Sequence, residues 1–308
     1  MNVTGVPGRI LVPLDGSLLA EGALPVAAEL SRRSGATVEL VHVHVPISPD
    51  PIHVEGLPVI DEHMRSLRRD HERAYLEQLR ERLGPAAAAA TVLLDGPVAP
   101  TLAAHARAVS AWVIVLTTHG RGGLERIWLG SVADGLARVS PVPLLLVRPE
   151  PAAGGGRFGR ILAPLDGSKA SEAILEHAVR LARLEEGAEI VLFQVVRPLG
   201  EVAWLPEGAS TAAAPQDDLP GRQRQARDYL DEAARPFLAA GLRVRIRVEV
   251  AGSVAAAILA AAHGEACDLV ALATHGRSGL ARVALGSVAD KVVRASRTPV
   301  LLFRPATP

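Results

Sequence analysis

The chain alternates short apolar segments with longer amphipathic ones. Uninterrupted apolar runs such as Arg9–Leu14 and Trp112–Leu116 predict strands that are buried on both faces. After the first of these runs, Ala23, Val26 and Leu30 recur at helical spacing. This alternation of buried strands and amphipathic helices predicts an α/β fold.

The same pattern extends through the whole sequence. In the first half we predict helices up to about residue 34 and at 60–83, 98–109 and 131–139, with strands at 9–14, 37–45, 88–94, 112–116 and 143–147. In the second half strands are predicted near 160–165, 188–196, 243–250, 268–272 and 299–303. Pro25 either kinks the first helix or marks its true start. Each half is therefore expected to be a doubly wound domain, with a five-stranded parallel sheet and helices on both faces.

The two halves are copies of one domain. Residues 9–17 match residues 160–168 at eight of nine positions, and residues 117–149 align without a gap to residues 273–305 with twenty of 33 identical. Because so long a period means whole domains rather than a solenoid, we expect one domain at 1–150 and a second at 157–308. The glycine-rich segment 151–156 is the predicted linker.

Composition excludes several classes of protein. Hydrophobic residues make up 49% of the chain, which suffices for two cores, and basic and acidic residues balance at 33 each, so no basic face for nucleic acid is indicated. Cys267 is the single cysteine, which rules out an internal disulfide framework. No secretory signal and no apolar run of membrane-spanning length is evident. A cytoplasmic protein that binds neither membrane nor nucleic acid is expected.

Polar signatures follow the first and fourth predicted strands of each copy. Asp15-Gly16-Ser17 follows strand one, and His119-Gly120 follows strand four, with Gly130-Ser131 ten residues further on. Ligands of open parallel sheets lie beyond the carboxyl ends of the strands, and a Gly-Ser at a helix N-terminus suits a phosphate. The second copy repeats these signatures at Asp166-Gly167-Ser168, His275-Gly276 and Gly286-Ser287. Neither a Walker A motif nor a G-x-G-x-x-G after the first strand is present.

Structural interpretations of these residues stay open. Ser131 with Asp134, and its repeat in the second copy, reads as a helix capping box, and Asp15 in Asp-Gly-Ser is also typical of a turn. His42 and His44 alternate on a strand and could share a metal, but we align them with Phe193 and Val195 and find no third ligand. The alternating arginines of the segment 243–247 favour a protected edge strand over a basic docking stripe.

Taken together, these motifs resemble the universal stress protein family, whose ATP-binding members carry G-x-x-G-x(9)-G-[ST] after strand four and an aspartate after strand one. The resemblance covers residues 8–149 and 158–305. It implies a fold similar to the adenine-nucleotide alpha hydrolases and ATP, with Mg²⁺, as the ligand in each domain. The implied first-copy contacts are Pro13, Asp15, Val43, Thr117, His119, Gly120, Gly130, Ser131 and Val132. Those of the second copy are Pro164, Asp166, Val195, Ala273, His275, Gly276, Gly286, Ser287 and Val288.

One position departs from the family motif, because its first glycine is Thr117 in one copy and Ala273 in the other. The resemblance implies a stress-response regulator that is not an enzyme, paired through its last strands as an intrachain pseudo-dimer and further as a homodimer. A slow ATPase is one alternative, but Glu125, the acidic residue of the first phosphate loop, aligns with Ala281. A nucleotide-free scaffold is the other.

Overall fold

The chain forms two compact units that divide between Arg157 and Phe158, here called the first and second domain. The computed structural model describes residues 8–45, 53–54, 57–58, 62–85, 87–118, 129–148, 155–198, 218–274 and 285–305. Each domain has its own parallel sheet with helices packed on it.

The first domain contains twelve elements among its described residues. In chain order they are β1 (Arg9–Pro13), α1 (Leu18–Glu21), α2 (Leu24–Ser34), β2 (Thr37–His44), β3 (His53–Val54), β4 (Leu57–Pro58), α3 (Glu62–Leu83), β5 (Ala89–Asp95), α4 (Val98–Ala108), β6 (Ala111–Thr117), α5 (Ser131–Val139) and β7 (Leu144–Val147). The sheet has the order β5-β2-β1-β6-β7 and every pairing in it is parallel. β3 and β4 form a separate antiparallel pair.

The second domain repeats this arrangement. Its elements are β8 (Arg160–Pro164), α6 (Lys169–Glu172), α7 (Ile174–Ala182), β9 (Glu189–Val196), α8 (Leu219–Ala239), β10 (Arg243–Val250), α9 (Val254–Gly264), β11 (Leu269–Ala273), α10 (Ser287–Ala295) and β12 (Val300–Phe303). The sheet order is β10-β9-β8-β11-β12, again with parallel pairs. The predicted doubly wound α/β fold, with a five-stranded parallel sheet in each domain, is confirmed.

The central strands are buried on both faces, as their uninterrupted apolar runs predicted. Ile10, Leu11 and Val12 of β1 all have 0% exposure. Because parallel crossovers are right-handed, α1, α2 and α3 cover one face of the sheet and α4 and α5 cover the other. No helix in the described parts of the chain has both the length and the apolar character needed to cross a bilayer.

The first helix of each copy is interrupted after one turn. Pro25 lies in the first turn of α2, so it marks the start of that helix rather than a kink. The second domain shows the same break between α6 and α7, although Glu176 stands where the first copy has Pro25. Proline is therefore compatible with the break but is not its cause.

The arginine-rich strand β10 lies at the edge of its sheet, which confirms the edge-strand interpretation. Its arginines also bind acidic neighbours. Arg245 contacts Glu189 at 2.9 Å and Glu265 at 2.7 Å, and Arg247 contacts Glu265 at 2.8 Å. These ion pairs occupy the guanidinium groups, so the pattern indicates a strand held to its own domain rather than a docking stripe.

Candidate functional site

The candidate site is the crevice at the carboxyl ends of the strands where β1 and β6 are neighbours. The chain leaves β1 for helices on one face of the sheet and leaves β6 for a helix on the other, so the connections diverge there. β8 and β11 are the equivalent neighbours in the second domain. Asp15 follows β1 and Thr117 ends β6, while Asp166 and Ala273 hold the same places beside β8 and β11. Each domain thus brings its strand-one aspartate and its first motif position to one crevice.

The aspartate after the first strand organises a turn in both copies. Asp15 Oδ1 accepts hydrogen bonds from the Ser17 backbone N–H at 2.9 Å and from the Ser17 hydroxyl at 2.6 Å. The Ser17 oxygen in turn caps α1 by accepting from Ala20 N–H at 3.2 Å. The second domain repeats the three contacts at 3.0, 2.6 and 3.1 Å through Asp166, Ser168 and Ser171. The turn-shaping interpretation of both aspartates is therefore confirmed.

Two helices begin at the predicted phosphate positions. α5 starts at Ser131 with Gly130 as its N-cap, and α10 starts at Ser287 with Gly286 as its N-cap. Val132 and Val288 are the second residues of these helices. In the second domain the Gly286 N–H donates to the Thr274 carbonyl at 2.9 Å. This bond holds the N-terminus of α10 beside the end of β11.

The capping-box interpretation of these helix starts is wrong. The N-cap residues are the glycines, and neither helix start has a side-chain cap hydrogen bond. Asp134 instead binds Arg138, one turn further along α5, with N–O distances of 2.9–3.1 Å. In α10 the corresponding pair, Asp290 and Arg294, is 2.8 Å apart. The carboxylates are thus directed away from the cap position, and the serines are the first helical residues rather than caps.

The motif position that departs from glycine carries an extra contact in the first domain. The Thr117 hydroxyl donates to the Leu19 carbonyl of α1 at 3.0 Å. Ala273 in the second domain has no hydroxyl with which to form such a bond. Of the other predicted contacts, Pro13 and Pro164 end the first strand of each copy, and Val43 and Val195 each lie one residue before the end of the second strand.

Four predicted contacts fall outside the described residues. They are His119 and Gly120 of the first copy and His275 and Gly276 of the second. Their places in the two crevices stay predictions.

His42 and His44 surround a carboxylate that the sequence analysis missed. Glu72 of α3 is buried, and its Oε2 and Oε1 atoms lie 2.8 and 3.0 Å from His44 Nδ1. Oε1 also lies 3.6 Å from His42 Nε2. His42 Nδ1 donates to the Leu14 carbonyl at 2.8 Å. Within the described ranges no group of three or more ligating side chains is arranged to hold a metal ion. The pair therefore works as a polar link between β2 and α3.

The predicted alignment of these histidines with the second copy is also wrong by one residue. Pro13 pairs with Val41 across the first two strands, whereas Pro164 pairs with Phe193. One residue is inserted between the first two strands of the second copy. When the strands are aligned by their pairing in the sheet, the counterparts of His42 and His44 are consequently Gln194 and Val196. The polar link belongs to the first domain.

A tyrosine and a glutamate lie beside the Asp-Gly-Ser turn in both copies. The Tyr75 hydroxyl donates to Glu21 Oε1 at 3.3 Å, and burial, Glu21 and Asp15 together raise the pKa of Tyr75. In the second domain burial and Glu172 raise the pKa of Tyr229 in the same way. The first contact borders an open cavity of about 540 Å³ that Gln78, Leu79, Glu81 and Arg82 also line. The sequence does carry a signal for this contact, because a glutamate follows six residues after Asp15 and after Asp166. A comparison of the two copies could have found it.

Burial also makes the single cysteine unreactive. Cys267 is 8% exposed, and burial raises the pKa of its thiol to about 11. Because the thiolate is the nucleophile, we expect less than about 5% labelling of the folded protein by an aromatic disulfide reagent at pH 8 within minutes. After unfolding in guanidinium chloride we expect one thiol per chain, read from absorbance. Stoichiometric labelling of the folded protein would contradict the buried position.

These features define the class of the protein: two tandem, doubly wound α/β domains, each with a crevice between its first and fourth large strands that faces a glycine-capped helix. The model of the universal stress protein family matches residues 7–148 and 157–304. The chain therefore belongs to the universal stress protein family, as a tandem member.

Relatives of similar length support this assignment. A universal stress protein of Mycolicibacterium smegmatis is 27% identical over 305 residues, which cover 96% of this chain and 97% of the relative. Universal stress protein Rv1996 of Mycobacterium tuberculosis is 26% identical, with 97% of each chain covered. Among solved structures, a universal stress protein from Archaeoglobus fulgidus superposes with a TM-score of 0.70 at 19% identity, covering 97% of this chain and 98% of that one. This last likeness shows the shared fold.

Proposed function

We propose that this universal stress protein binds an adenine nucleotide, ATP with Mg²⁺, in the crevice of each domain and acts as a nucleotide-dependent regulator of the stress response. The observation that carries the proposal is the glycine N-cap of α5 and α10. Gly130 has φ −58° and Gly286 has φ −55°, values that any residue adopts. The backbone therefore does not require glycine, and what both copies share is the missing side chain.

A missing side chain at this position has a cost and a use. Serine, asparagine or aspartate at an N-cap stabilises a helix by roughly a few tenths of a kcal/mol more than glycine does, and both copies forgo this side-chain contact. In exchange the first turn of each helix presents its N–H groups and the positive end of its dipole to the crevice, with the hydroxyl of Ser131 or Ser287 beside them. This arrangement suits the phosphates of a nucleotide.

The remaining contacts follow from the crevice and the family resemblance. In the proposal Asp15 and Asp166 accept hydrogen bonds from ribose hydroxyls, and the backbones of Val43 and Val195 meet the adenine. Mg²⁺ bound together with the nucleotide would offset the negative charge of its phosphates. Each aspartate already holds its turn through Oδ1, which fixes the carboxylate at the end of the first strand.

We propose binding without rapid turnover. A hydrolase needs a group that activates water, and the acidic residue of the first phosphate loop, Glu125, aligns with Ala281 in the second copy. In this proposal a partner protein binds the nucleotide-bound form of the regulator in preference to the free form. Pairing through β7 and β12 into a pseudo-dimer or a homodimer is also part of the proposal.

The test is to identify nucleotide that copurifies with the protein. The full-length chain is purified, heat-denatured, and the released nucleotide is identified by mass-resolved chromatography. We expect ATP in the wild-type protein and less than about a tenth of that amount in the Gly130→Ala/Gly286→Ala double variant, because each added methyl group enters the phosphate position. Release of inorganic phosphate from added ATP is followed in parallel and is expected to be slow.

A matched control is Gly264→Ala. Gly264 ends α9 shortly before β11 begins, away from the carboxyl ends of the strands. Apart from its chain neighbours and the backbone of its own helix, no heavy atom lies within 4 Å of the position that an added Cβ would occupy. This variant should retain its nucleotide. No nucleotide in the wild-type protein, together with no binding of added ATP and Mg²⁺, would favour the nucleotide-free scaffold. Rapid phosphate release would favour the ATPase.

A further inference from the structure

The two crevices differ at the first position of their shared motif, and we propose that this difference makes them unequal nucleotide sites. Given the nucleotide binding proposed above, on which this assignment rests, the second domain holds the ligand more tightly. Thr117 is the residue that lowers the nucleotide affinity of the first site.

The geometry places Thr117 across the crevice. Thr117 is the last residue of β6, and Leu19 lies in α1, the helix that follows β1. The Thr117 hydroxyl donates to the Leu19 carbonyl at 3.0 Å, although the two residues are 98 positions apart in sequence. Because β1 and β6 are the neighbours whose connections diverge, this bond joins the two walls of the crevice close to Asp15.

The bond also fixes the rest of the side chain. Threonine is β-branched, so engaging its hydroxyl sets χ1 and holds the Cγ2 methyl group in one place. A ribose that approaches Asp15 must tolerate this methyl group or break the bond to Leu19. The loss of one neutral hydrogen bond and the crowding by one methyl group correspond together to about tenfold in affinity.

The second crevice lacks the bridge. Ala273 ends β11 with a Cβ alone, and the carbonyl of Ala170 is the counterpart of the Leu19 carbonyl. This domain also carries Lys169 where the first has Leu18, which adds a positive charge near the turn. Lys169 is 92% exposed and paired with Glu172 at 2.7 Å, so solvent screens its attraction for phosphate. Thr117 is therefore the larger of the two differences.

Reciprocal exchange of the two residues tests the assignment. ATP with Mg²⁺ is titrated into the nucleotide-free, full-length chain by calorimetry. For the wild-type protein we expect two sites whose Kd values differ by about tenfold or more. Gly286→Ala should remove the tight site and Gly130→Ala the weak one. Thr117→Ala should bring the first site to within about threefold of the second, and Ala273→Thr should weaken the second site by about tenfold.

The outcomes separate this assignment from the proposed function. Two equal sites in the wild-type protein, loss of the tight site in Gly130→Ala, or no change of affinity in Thr117→Ala would each overturn the assignment while nucleotide binding stands. No ATP bound by the wild-type protein or by any variant would overturn the proposed function itself. Because Thr117→Ala only shortens a half-buried side chain, it keeps the test decisive even where Ala273→Thr fails to fold.

Discussion

Replacing Arg9 by methionine is expected to destabilise the first domain by about 3 kcal/mol, because it leaves the buried carboxylate of Glu39 without its arginine partner. Glu39 on β2 is 2% exposed, and its oxygens lie 2.6 Å from Arg9 Nη1 and 3.0 Å from His105 Nε2. Removing one partner of a buried ion pair costs about 3–5 kcal/mol when the remaining charge is uncompensated. The lower end applies because Arg9 is half-exposed and His105 remains beside the carboxylate.

The second domain supplies the matched compensating change. Leu11 pairs with Glu39 across the first two strands, and its counterpart Leu162 pairs with Val191, which is fully buried. A valine is thus accepted at this place in the same fold. Replacing a buried ion pair by apolar residues of similar volume is often neutral or stabilising. We expect Glu39→Val to change stability by less than about 1 kcal/mol and to rescue most of the loss in Arg9→Met.

Urea denaturation followed by hydrogen exchange and mass spectrometry measures this effect domain by domain. Peptides from β1 and β2 report the first domain, and peptides from β8 and β9 are the internal reference, which should not change. A loss below about 1 kcal/mol in Arg9→Met, or a double variant less stable than Arg9→Met, would show that Glu39 is not held mainly by this pair.

The fold could be predicted from the sequence because its signals are local and occur twice. An apolar run such as Trp112–Leu116 reports burial on both faces directly, and the observed β6 exceeds it by one residue at each end. Predicted helix 131–139 coincides with α5, since Gly130 and Ser140 flank it with non-helical backbone. Repetition of each signal at the matching place in the second copy removed most ambiguity between strand and helix.

The candidate site was only partly predictable, because its contacts join residues distant in sequence. The Asp-Gly-Ser turn is local, so its residues could be named from the pattern. The bond from Thr117 to Leu19 and the contact between Tyr75 and Glu21 span 98 and 54 positions. The spacing of apolar and polar residues along the chain does not predict such contacts, because they depend on how α1 and α3 pack. The misplaced counterparts of the two histidines had another cause, since one inserted residue shifts every later offset.

Replacing Phe193 by alanine is expected to destabilise the second domain by about 3–5 kcal/mol, because it removes a fully buried aromatic ring from that domain's core. Phe193 on β9 has 0% exposure, and its ring lies 5.8 Å from the guanidinium carbon of Arg247. β9 is flanked by β8 and β10, so the surrounding strands cannot collapse into the space without losing their pairing. A cavity that cannot relax gives the full cost of the lost contacts.

The first domain offers the matched control, since Val41 occupies the equivalent place on β2 with 0% exposure. Val41→Ala removes two methyl groups instead of a ring and should cost about 2 kcal/mol in its own domain. Because a domain is stable by only about 5–15 kcal/mol, Phe193→Ala should bring the second domain close to unfolding while the first is unaffected. Hydrogen exchange should rise in peptides from β8 and β9 but not in those from β1 and β2.

Since Val195 follows two residues after Phe193 on β9, the proposed second nucleotide site should weaken on warming before the first does. Equal losses in the two variants would mean that the cores of the copies tolerate truncation alike, and that the second domain does not depend on its one large aromatic residue at this position.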